Sequence, residues 1–226
     1  MYARFWKRVM DFTLSLCALI VLSPVLLILT VLGAVKMKGN PFFTQKRPGK
    51  NEKIFKMIKF RSMTCEKDAQ GNLLPDEMRL TKYGKLLCST SLDELPELIN
   101  ILKGDMSIIG PRPQLVRDMV FMTPEQRVRH SIRPGLTGLA QVNGRNNITW
   151  EEKFEYDLQY INSGITLWHD AKIILMTVGK VFRREDTVRE GTVSDLDFGD
   201  WLLQKGEVSQ ETYDAQQEAA KELLGV

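Results

Sequence analysis

Residues 90–113 read Thr90-Ser-Leu-Asp-Glu-Leu-Pro-Glu-Leu-Ile-Asn-Ile-Leu-Lys-Gly-Asp-Met-Ser-Ile-Ile-Gly-Pro-Arg-Pro113, and this stretch decides how the chain is organised. Ser91 as N-cap and Glu94 three residues later form the pattern of a capping box, and Pro96 fits only the first turn of a helix. Lys103-Gly104 ends the predicted helix, and a rigid Gly-Pro-Arg-Pro turn then presents one guanidinium. One face of the helix can be buried, because apolar residues recur at helical spacing at Leu95, Leu98, Ile99 and Leu102.

The adjacent carboxylates Asp93 and Glu94 lie in the predicted first turn. A helix N-terminus favours negative charge, so the plain interpretation is a solvated first turn that carries two acids for electrostatic reasons alone. The alternative is a functional pair. One carboxylate can hold Mg²⁺ while water and substrate phosphates complete its shell, and a second can attack phosphorus to form an acyl phosphate.

The composition favours a globular domain beside a membrane surface. The chain has 226 residues and a formal net charge of +3, which suits one domain with appendages. Its N-terminal quarter is basic and contains an apolar run, whereas its C-terminal end is acidic. This arrangement predicts contact with anionic phospholipid and gives no reason to expect nucleic acid. The three cysteines and two histidines form no metal-binding pattern, which predicts reduced thiols on a cytosolic face and no zinc site.

An uncharged run extends from Phe12 to Val35. It is long enough to span a bilayer, and an ordinary transmembrane helix is the default interpretation. Both flanks are basic, however, and the positive-inside rule assigns both to the cytoplasm. Ser23-Pro24 lies in the middle, where proline removes a backbone hydrogen bond and a serine hydroxyl can satisfy the freed carbonyl group. These features favour a re-entrant helix broken at Ser23-Pro24 over a straight span, which stays open as the alternative.

Two further segments carry cations suited to phosphate. Ile54–Met63 alternates loosely and predicts a short strand, on which Lys59 and Arg61 place positive charge beside aromatic residues. An interfacial strip that reaches lipid headgroups accounts for this pattern equally well. Between Arg133 and Arg145, three glycines can bring backbone N–H groups to a phosphate, although a plain turn-rich connection is the commoner outcome for such a loop.

The remaining pattern is mainly helical. Gln114–Arg129 predicts a helix that restarts at Pro124, and the amphipathic segment Gly164–Arg184 suits either a membrane surface or a core. Trp150–Ile161 and Ser209–Leu224 are further predicted helices. At the end of the Gln114–Arg129 segment, a solvated face is expected to carry Arg127, Arg129 and His130.

We therefore expect a mainly helical α+β fold in three parts. Residues 1–38 are predicted to form the re-entrant membrane anchor. Residues 39–184 are predicted to form a small cytosolic catalytic domain with short strands and amphipathic interfacial helices. Residues 185–226 are predicted to form an acidic tail without chemistry of its own.

Five motifs follow one another along the chain. They are Ser23-Pro24 in the apolar run, Lys59-Phe-Arg-Ser-Met63, Thr90-Ser-Leu-Asp-Glu-Leu-Pro96, Lys103-Gly-Asp-Met-Ser107 with Gly110-Pro-Arg-Pro113, and Arg133-Pro-Gly-Leu-Thr-Gly-Leu-Ala-Gln-Val-Asn-Gly-Arg145. Each motif is weak alone, but together they resemble the bacterial sugar transferase family, the small monotopic phosphoglycosyl transferases, and most of all the PglC-type members. The resemblance extends from the N-terminus to about Arg184.

The resemblance implies an activity. Enzymes of this family transfer a phospho-sugar from a UDP-sugar to polyprenol phosphate, release UMP and need Mg²⁺. The expected partners are therefore the UDP-sugar, undecaprenyl phosphate in the membrane and downstream glycosyltransferases of bacterial glycoconjugate assembly, N-glycans included. The expected location is the inner (cytoplasmic) membrane, with a monotopic anchor and the catalytic domain on the cytoplasmic face.

The resemblance also implies roles for individual residues. Asp93 matches the nucleophile that takes the phospho-sugar covalently, and Glu94 matches the magnesium-associated carboxylate. Arg112 and Arg145 match residues close to the phosphates. The other positions expected to contribute to substrate or phosphate binding are Lys59, Arg61, Arg133 and Asp157.

One position departs from the family pattern, and two other functions compete. Cys88 stands where the family usually carries a basic residue, so a cation that helps to bind nucleotide is expected to be missing. A non-enzymatic membrane scaffold is the alternative from another class, and it requires Asp93 and Glu94 to be mere capping residues. A polytopic transferase that acts by direct attack of the lipid is disfavoured, because only one apolar run is long enough to span a membrane.

Overall fold

The structure, a computed structural model, describes residues 1–144, 148–183 and 196–225. Helices dominate it, as the sequence predicts for a mainly helical α+β fold. The helices are α1 (Lys7–Val21), α2 (Ser23–Lys36), α3 (Asp76–Arg79), α4 (Lys82–Thr90), α5 (Glu97–Lys103), α6 (Val116–Met119), α7 (Pro124–Arg127), α8 (Leu139–Val142), α9 (Trp150–Asn162), α10 (Leu167–Arg183), α11 (Phe198–Lys205) and α12 (Gln210–Leu224). The strands are β1 (Phe42–Pro48), β2 (Ile54–Phe60), β3 (Ser107–Ile109) and β4 (Gly135–Thr137).

The N-terminal apolar run forms two helices, α1 and α2, that meet at an angle of 66°. Pro24 has no N–H to donate to the carbonyl group of Ile20, and the Ser23 hydroxyl donates to that carbonyl instead, at 2.7 Å. The predicted break at Ser23-Pro24 is therefore present. Among the described residues, no single helix combines the length and apolar character needed to cross a bilayer, although the bent pair taken together does by length and composition.

Polar contacts fasten α1 to the rest of the chain. The Arg8 guanidinium donates to the carbonyl groups of Ile101 (2.5 Å) and Leu102 (2.7 Å) at the end of α5. Asp11 accepts a hydrogen bond from the backbone N–H of Ile108 at 3.0 Å. These contacts satisfy backbone groups that a helix end and a short strand leave without partners.

A buried ion pair adds a second attachment. Lys7 Nζ lies 2.6 Å from Asp170 Oδ2 on α10, and the Tyr160 hydroxyl donates to Asp170 Oδ1 at 2.6 Å. Asp170 is 2% exposed, so its charge needs these partners. The first turn of α1 is thus fixed to α10.

The second helix of the bend, α2, also contacts the rest of the chain. Leu29 on α2 packs against Phe60 and Leu87, and the Tyr83 hydroxyl donates to the carbonyl group of Leu29 at 2.8 Å. Side chains near the bend are exposed, by 75% at Val21 and by amounts above half at Ile20, Leu27 and Ile28. Both arms therefore contact one domain while an apolar tip projects from it, and a straight helix through residues 12–35 is excluded.

Two small sheets support the polar residues of the middle of the chain. Strands β1 and β2 are antiparallel, with Phe42 opposite Phe60 and Pro48 opposite Ile54. Strands β3 and β4 are parallel, with Ser107 opposite Gly135. The strand expected within 54–63 is confirmed over 54–60.

The residues that open α5 differ from the prediction. Ser91 takes a left-handed backbone conformation (φ 55°) as the C-cap of α4 and makes no capping hydrogen bond through its side chain. Asp93 and Glu94 lie in a separate 3₁₀ turn, and α5 begins only after Pro96. The expected capping box is therefore wrong, because the chain reverses at Ser91 and starts the helix afresh at Pro96.

Glycines in the middle of the chain serve close packing of backbone. A Cβ atom on Gly135 would lie 2.1 Å from the nitrogen of Gly110, and one on Gly138 would lie 2.2 Å from the oxygen of Gly110. Only glycine permits these approaches. Gly135 and Gly138, two of the three glycines that were expected to bring backbone to a phosphate, thus permit close contact with Gly110.

The C-terminal helices pack against the catalytic part of the chain. Phe198 and Leu202 of α11 join an apolar cluster with Met122, Trp150 and Phe154. Ala220 of α12 is buried against α6. The predicted terminal helix is confirmed as α12, and α11 precedes it.

Asp118 on α6 links this C-terminal part to the fold. Its carboxylate accepts hydrogen bonds from the backbone N–H groups of Leu115 (3.1 Å) and Phe198 (2.9 Å). Burial nevertheless raises the pKa of Asp118 from 3.8 to about 6, with the neighbouring Asp197 acting in the same direction. A carboxyl group whose pKa is raised on folding stabilises the fold in its protonated form. Its contribution is therefore complete below about pH 3.8 and is lost as pH rises through about 6.

We expect Asp118→Asn to remove this part of the pH dependence of stability. The free energy of unfolding of the unmodified protein should fall relative to that of Asp118→Asn between about pH 4 and about pH 6. Denaturant unfolding in detergent across this range measures the difference. The control is Asp214→Asn, at an exposed position of α12. Its free energy of unfolding should depend on pH as that of the unmodified protein does. Parallel curves for Asp118→Asn and the unmodified protein contradict the assignment.

Candidate active site

Glu94 is the centre of a charged cluster. Its Oε1 atom lies 3.0 Å from Lys59 Nζ on β2 and 2.7 Å from Nη2 of Arg112 in the Gly-Pro-Arg-Pro turn. Glu94 is only 8% exposed. A solvated first turn is therefore contradicted for Glu94, because its charge is withdrawn from water and held by two cations.

Glu97 extends this cluster into the interior. Its Oε1 atom lies 3.1 Å from Lys59 Nζ, and the residue is 1% exposed. Burial raises the pKa of Glu97, while the positive charge of Lys59 acts against that rise. Lys59 thus bridges two buried acids, which fixes its ammonium group.

The strand that carries Lys59 is held by Asn100 of α5. The Asn100 side-chain amide donates to the carbonyl group of Lys56 at 2.8 Å and accepts from the N–H of Ile58 at 3.0 Å. The expected apolar face of α5 is present at Leu98, but Asn100 and Ile101 are buried beside it. The helix therefore positions the cation as well as the acids.

Arg112 is oriented from both of its ends. Its guanidinium contacts Glu94, which is the main reason why its pKa is raised despite burial, and Asp93 contributes to the same rise. Its backbone carbonyl accepts a hydrogen bond from Arg129 Nη2 at 2.8 Å. The guanidinium is thus directed towards the adjacent acids Asp93 and Glu94, where a phosphate group can approach.

Asp157 supports this arrangement from α9. Its Oδ2 atom lies 2.6 Å from Nη2 and 3.0 Å from Nε of Arg129, and both residues are 2% exposed. Burial raises the pKa of Asp157, while Arg129 acts to lower it. The prediction that Arg129 and His130 lie on a solvated face is wrong, because both are buried. Asp157 needs a buried counter-charge, and Arg129 supplies it.

Arg47 is a cation of this region that sequence reasoning assigned only to the basic flank of the membrane run. Its guanidinium donates to the carbonyl group of Pro113 (3.2 Å) and to Gln45 Oε1 (2.7 Å). Burial and, to a smaller extent, the positive charge of Arg112 lower the pKa of Arg47 to about 10. Two guanidinium groups that repel each other across one cleft are suited to an anion between them. The sequence of β1, Phe-Phe-Thr-Gln-Lys-Arg-Pro, gives no signal of this position, because its apolar and polar residues do not alternate.

A cleft of about 530 Å³ is lined by four of the charged residues described above, which are Arg47, Lys59, Arg112 and Asp157. A volume of this size suits a ligand of nucleotide-sugar dimensions. Its walls are formed by residues of β1, β2, the Gly-Pro-Arg-Pro turn, α8, α9 and the segment before α11. They include Gln45, Arg47, Lys59, Met63, Asp76, Arg112, Gln114, Leu115, Asp118, Ala140, Gln141, Trp150, Lys153, Asp157, Leu196 and Asp197.

Other predicted site residues lie elsewhere. The Nε atom of Arg133 donates to the carbonyl group of Gly104 at 2.7 Å, so this side chain caps the end of α5. Arg61 is half-buried at the end of β2, where its N–H donates to the carbonyl group of Pro41 at 2.7 Å. Ser23 and Pro24 form the bend of the apolar run, and Arg145 lies outside the described residues.

Cys88 lies beside the acidic pair. It is half-buried at the end of α4, where burial and then the negative charge of Asp93 raise the pKa of its thiol. A thiol with a raised pKa stays neutral at pH 7. Cys88 therefore carries no charge beside the acidic pair.

The donor set around Asp93 and Glu94 is compatible with Mg²⁺. Carboxylate oxygens are the ligands that Mg²⁺ prefers, and one or two of them suffice when substrate phosphates complete the shell. Among the residues that the structure describes, no group of three or more acids, histidines or cysteines is arranged to hold a metal by itself. The residues present thus fit a cation that binds together with a phosphate-bearing ligand.

We expect Asp157→Asn to destabilise the fold strongly, because it leaves the Arg129 guanidinium buried without a counter-charge. Breaking a buried pair in this way costs about 3–5 kcal/mol. The matched control is Glu151→Gln on the same helix, which removes an exposed contact to Lys205 and should cost less than about 1 kcal/mol. Denaturant unfolding measures both values. Equal losses in the two variants contradict the structural role of Asp157.

Comparison with known proteins gives a consistent assignment. Residues 2–184 match the sequence pattern of the family described as bacterial sugar transferase. The protein named "Uncharacterized sugar transferase EpsL" from Bacillus subtilis (strain 168) is 46% identical over 179 residues, which cover 79% of this chain and 88% of that protein.

Two longer relatives have named activities. The UDP-glucose:undecaprenyl-phosphate glucose-1-phosphate transferase of Klebsiella pneumoniae is 42% identical over 187 residues, which cover 78% of this chain. The protein of the same name from Escherichia coli (strain K12) is 38% identical over 189 residues, which cover 79% of this chain. The chain spans 40% of the length of each of these two proteins. The family expected from the five motifs is confirmed, and the chain belongs to the bacterial sugar transferases.

Proposed function

We propose that the protein transfers a phospho-sugar from a UDP-sugar to undecaprenyl phosphate, forming polyprenyl-diphospho-sugar and UMP. The observation that carries this proposal is that Glu94, next to Asp93, contacts Lys59 and Arg112, two cations that line a cleft together with Arg47. Such a cleft is complementary to a diphosphate that lies beside a nucleophilic carboxylate. Relatives that bear the name of this reaction support the same assignment.

The proposed mechanism has two displacements at one phosphorus atom. An oxygen of Asp93 attacks the β-phosphorus of the UDP-sugar, the bond from that phosphorus to the bridging oxygen breaks, and UMP leaves with the bonding electrons. An oxygen of undecaprenyl phosphate then attacks the same phosphorus. The bond to Asp93 breaks and its carboxylate is regenerated. Each step exchanges one phosphorus–oxygen bond for another, so no proton donor is required for the balance.

The cations of the cleft stabilise these steps. Arg112 and Lys59 lie at the acidic pair, and Arg47 extends the positive surface along the cleft. Fixed positive charge offsets the charge on the equatorial phosphate oxygens in the transition state. Mg²⁺, when bound at Glu94 with the substrate phosphates, supplies further neutralisation of the diphosphate. Asp157 contributes by holding Arg129 and, through it, Arg112.

The acceptor requires a location at the membrane. We propose that α1 and α2 form a re-entrant anchor in the cytoplasmic membrane, with the catalytic domain on the cytoplasmic face. Support comes from the two arms of the bend, which both contact that domain. Exposed apolar residues of α10, among them Leu167, Trp168 and Leu175, extend the surface suited to anionic phospholipid.

In this position the protein carries out the first membrane step of bacterial glycoconjugate assembly, with N-glycan assembly among the pathways open to it. Its lipid-linked product is the acceptor for glycosyltransferases that act later. The charge on undecaprenyl phosphate holds the reacting group at headgroup depth, which is where a one-leaflet anchor keeps the domain.

We expect a covalent adduct when the purified protein is mixed with Mg²⁺ and UDP-glucose, UDP-galactose or UDP-N-acetylglucosamine in the absence of lipid. Intact-protein mass spectrometry should show a gain of one phospho-sugar together with release of UMP. Asp93→Asn should lose the adduct and all turnover, whereas Asp214→Asn should retain both. UMP release that requires undecaprenyl phosphate, without an adduct, contradicts the covalent route. No turnover by the unmodified protein under any condition favours a scaffold.

A separate measurement addresses the anchor. In a variant whose three native cysteines are replaced by serine, we place a single cysteine as Arg4→Cys before α1 or as Glu211→Cys on α12. Both positions are exposed. A re-entrant anchor leaves both on the cytoplasmic side, so a membrane-impermeant thiol reagent should label neither in intact cells and both after lysis. Labelling of Arg4→Cys alone in intact cells contradicts the re-entrant arrangement.

A further inference from the structure

The segment directly before α11 reaches the cleft although it lies beyond the residues that match the family, which end at 184. Leu196 and Asp197 line the cleft directly before α11. The Trp150 indole N–H donates to the carbonyl group of Leu196 at 3.1 Å. This contact fixes the segment against the first turn of α9, so the wall of the cleft is built partly from outside the family region.

The side chain of Asp197 does not cap α11, the helix that it precedes. It occupies the N-cap position of α11 but makes no capping hydrogen bond through its side chain. Its Oδ2 atom instead lies 3.2 Å from Nη1 of Arg117, and the side chain is 28% exposed. An aspartate at an N-cap ordinarily accepts a hydrogen bond from the helix backbone. The carboxylate of Asp197 is therefore held at the cleft by a side-chain contact.

Gln141 on α8 lies in the wall of the same cleft. Within the described parts of the chain, neither atom of its buried amide group has a hydrogen-bond partner. A Cβ atom on Gly138 would lie 2.8 Å from Gln141 Oε1, so a glycine makes room for this amide. Buried amides without partners are costly. A polar ligand in the cleft relieves that cost.

The cleft therefore combines cations with side chains that accept hydrogen bonds. Its lining includes Arg47, Lys59, Arg112 and Lys153 together with Gln141, Trp150 and Asp197. A UDP-sugar needs both kinds of group, because its anionic diphosphate is flanked by two rings that carry hydroxyl groups. Carboxylates and amides are the side chains that accept hydrogen bonds from such hydroxyls.

We propose that the segment before α11 completes the donor site together with α8, so that Asp197 and Gln141 hydrogen-bond hydroxyl groups of the UDP-sugar. The inference rests on the proposed function. It assigns a donor-binding role to a part of the chain outside the catalytic family region. The ligand chemistry is a hydroxyl-bearing ring, supplied either by the transferred sugar or by the ribose.

The test compares Asp197→Ala with Asp200→Ala. Both aspartates contact Arg117, at 3.2 and 3.1 Å, but only Asp197 lines the cleft. Asp200→Ala thus removes an ion pair to Arg117, and with it the acceptor of the Tyr213 hydroxyl, without removing a cleft group. The assay measures kcat and KM with the donor on which the unmodified protein is most active, taken from UDP-glucose, UDP-galactose and UDP-N-acetylglucosamine.

We expect Asp197→Ala to raise KM about tenfold, which corresponds to one hydrogen bond to a charged group. Asp200→Ala should change KM less than about twofold, since the two ion pairs are half-exposed and weak. Equal KM values for the two variants overturn the inference. This result requires an active unmodified protein, so it is distinct from failure of the proposed function, in which the unmodified protein turns over no UDP-sugar.

Binding measurements distinguish the transferred sugar from the ribose, and unfolding midpoints test whether each variant is folded. Calorimetric titration with UDP and with the UDP-sugar, carried out in an Asp93→Asn background that cannot form the adduct, gives two affinities for each variant. Loss confined to the UDP-sugar assigns Asp197 to the transferred sugar, and equal loss with both ligands assigns it to the ribose. Gln141→Leu should weaken the same ligand, and unchanged affinity for both ligands in Asp197→Ala and Gln141→Leu overturns the inference. Unchanged unfolding midpoints confirm that each variant is folded.

Discussion

The structure depends on one constraint, which is that the charge of Glu94 is buried and must be held by cations. Lys59 reaches it from β2 and Arg112 from the turn after β3, so two distant segments converge on one oxygen. Removing a charge from water is costly unless it is paired. That cost makes the relative positions of β2, α5 and the Gly-Pro-Arg-Pro turn mutually dependent, and it fixes the guanidinium and ammonium groups that the chemistry requires.

Lys59 and Arg112 are each held in position by hydrogen bonds from another side chain to the backbone. Asn100 holds the strand of Lys59 through two backbone hydrogen bonds, and Arg129 holds the carbonyl group of Arg112. Asp157 in turn neutralises Arg129. A site built in this way is organised before any ligand enters, so little reorganisation is needed when charge develops on a phosphate.

Sequence reasoning found the acidic pair, the Pro-Arg-Pro turn and the bend at Ser23-Pro24, because each is encoded in a short motif with its own local chemistry. It misjudged Ser91, since a capping pattern does not reveal a left-handed residue that ends the preceding helix. It placed Arg129 on a solvated face and Arg47 in the basic flank, because the burial of a cation depends on partners far away in the sequence. The position of Asp197 at the cleft could not be predicted either, because it also depends on contacts with residues far away in the sequence.

Helix α9 has a mechanical consequence for ligand binding. Its first residue, Trp150, contacts the C-terminal segment, and Asp157 two turns later contacts Arg129 and through it the turn of Arg112. One helix therefore supports two separate parts of the cleft wall. A shift of α9 at either part moves the other, so the cleft keeps its shape or changes it as a unit.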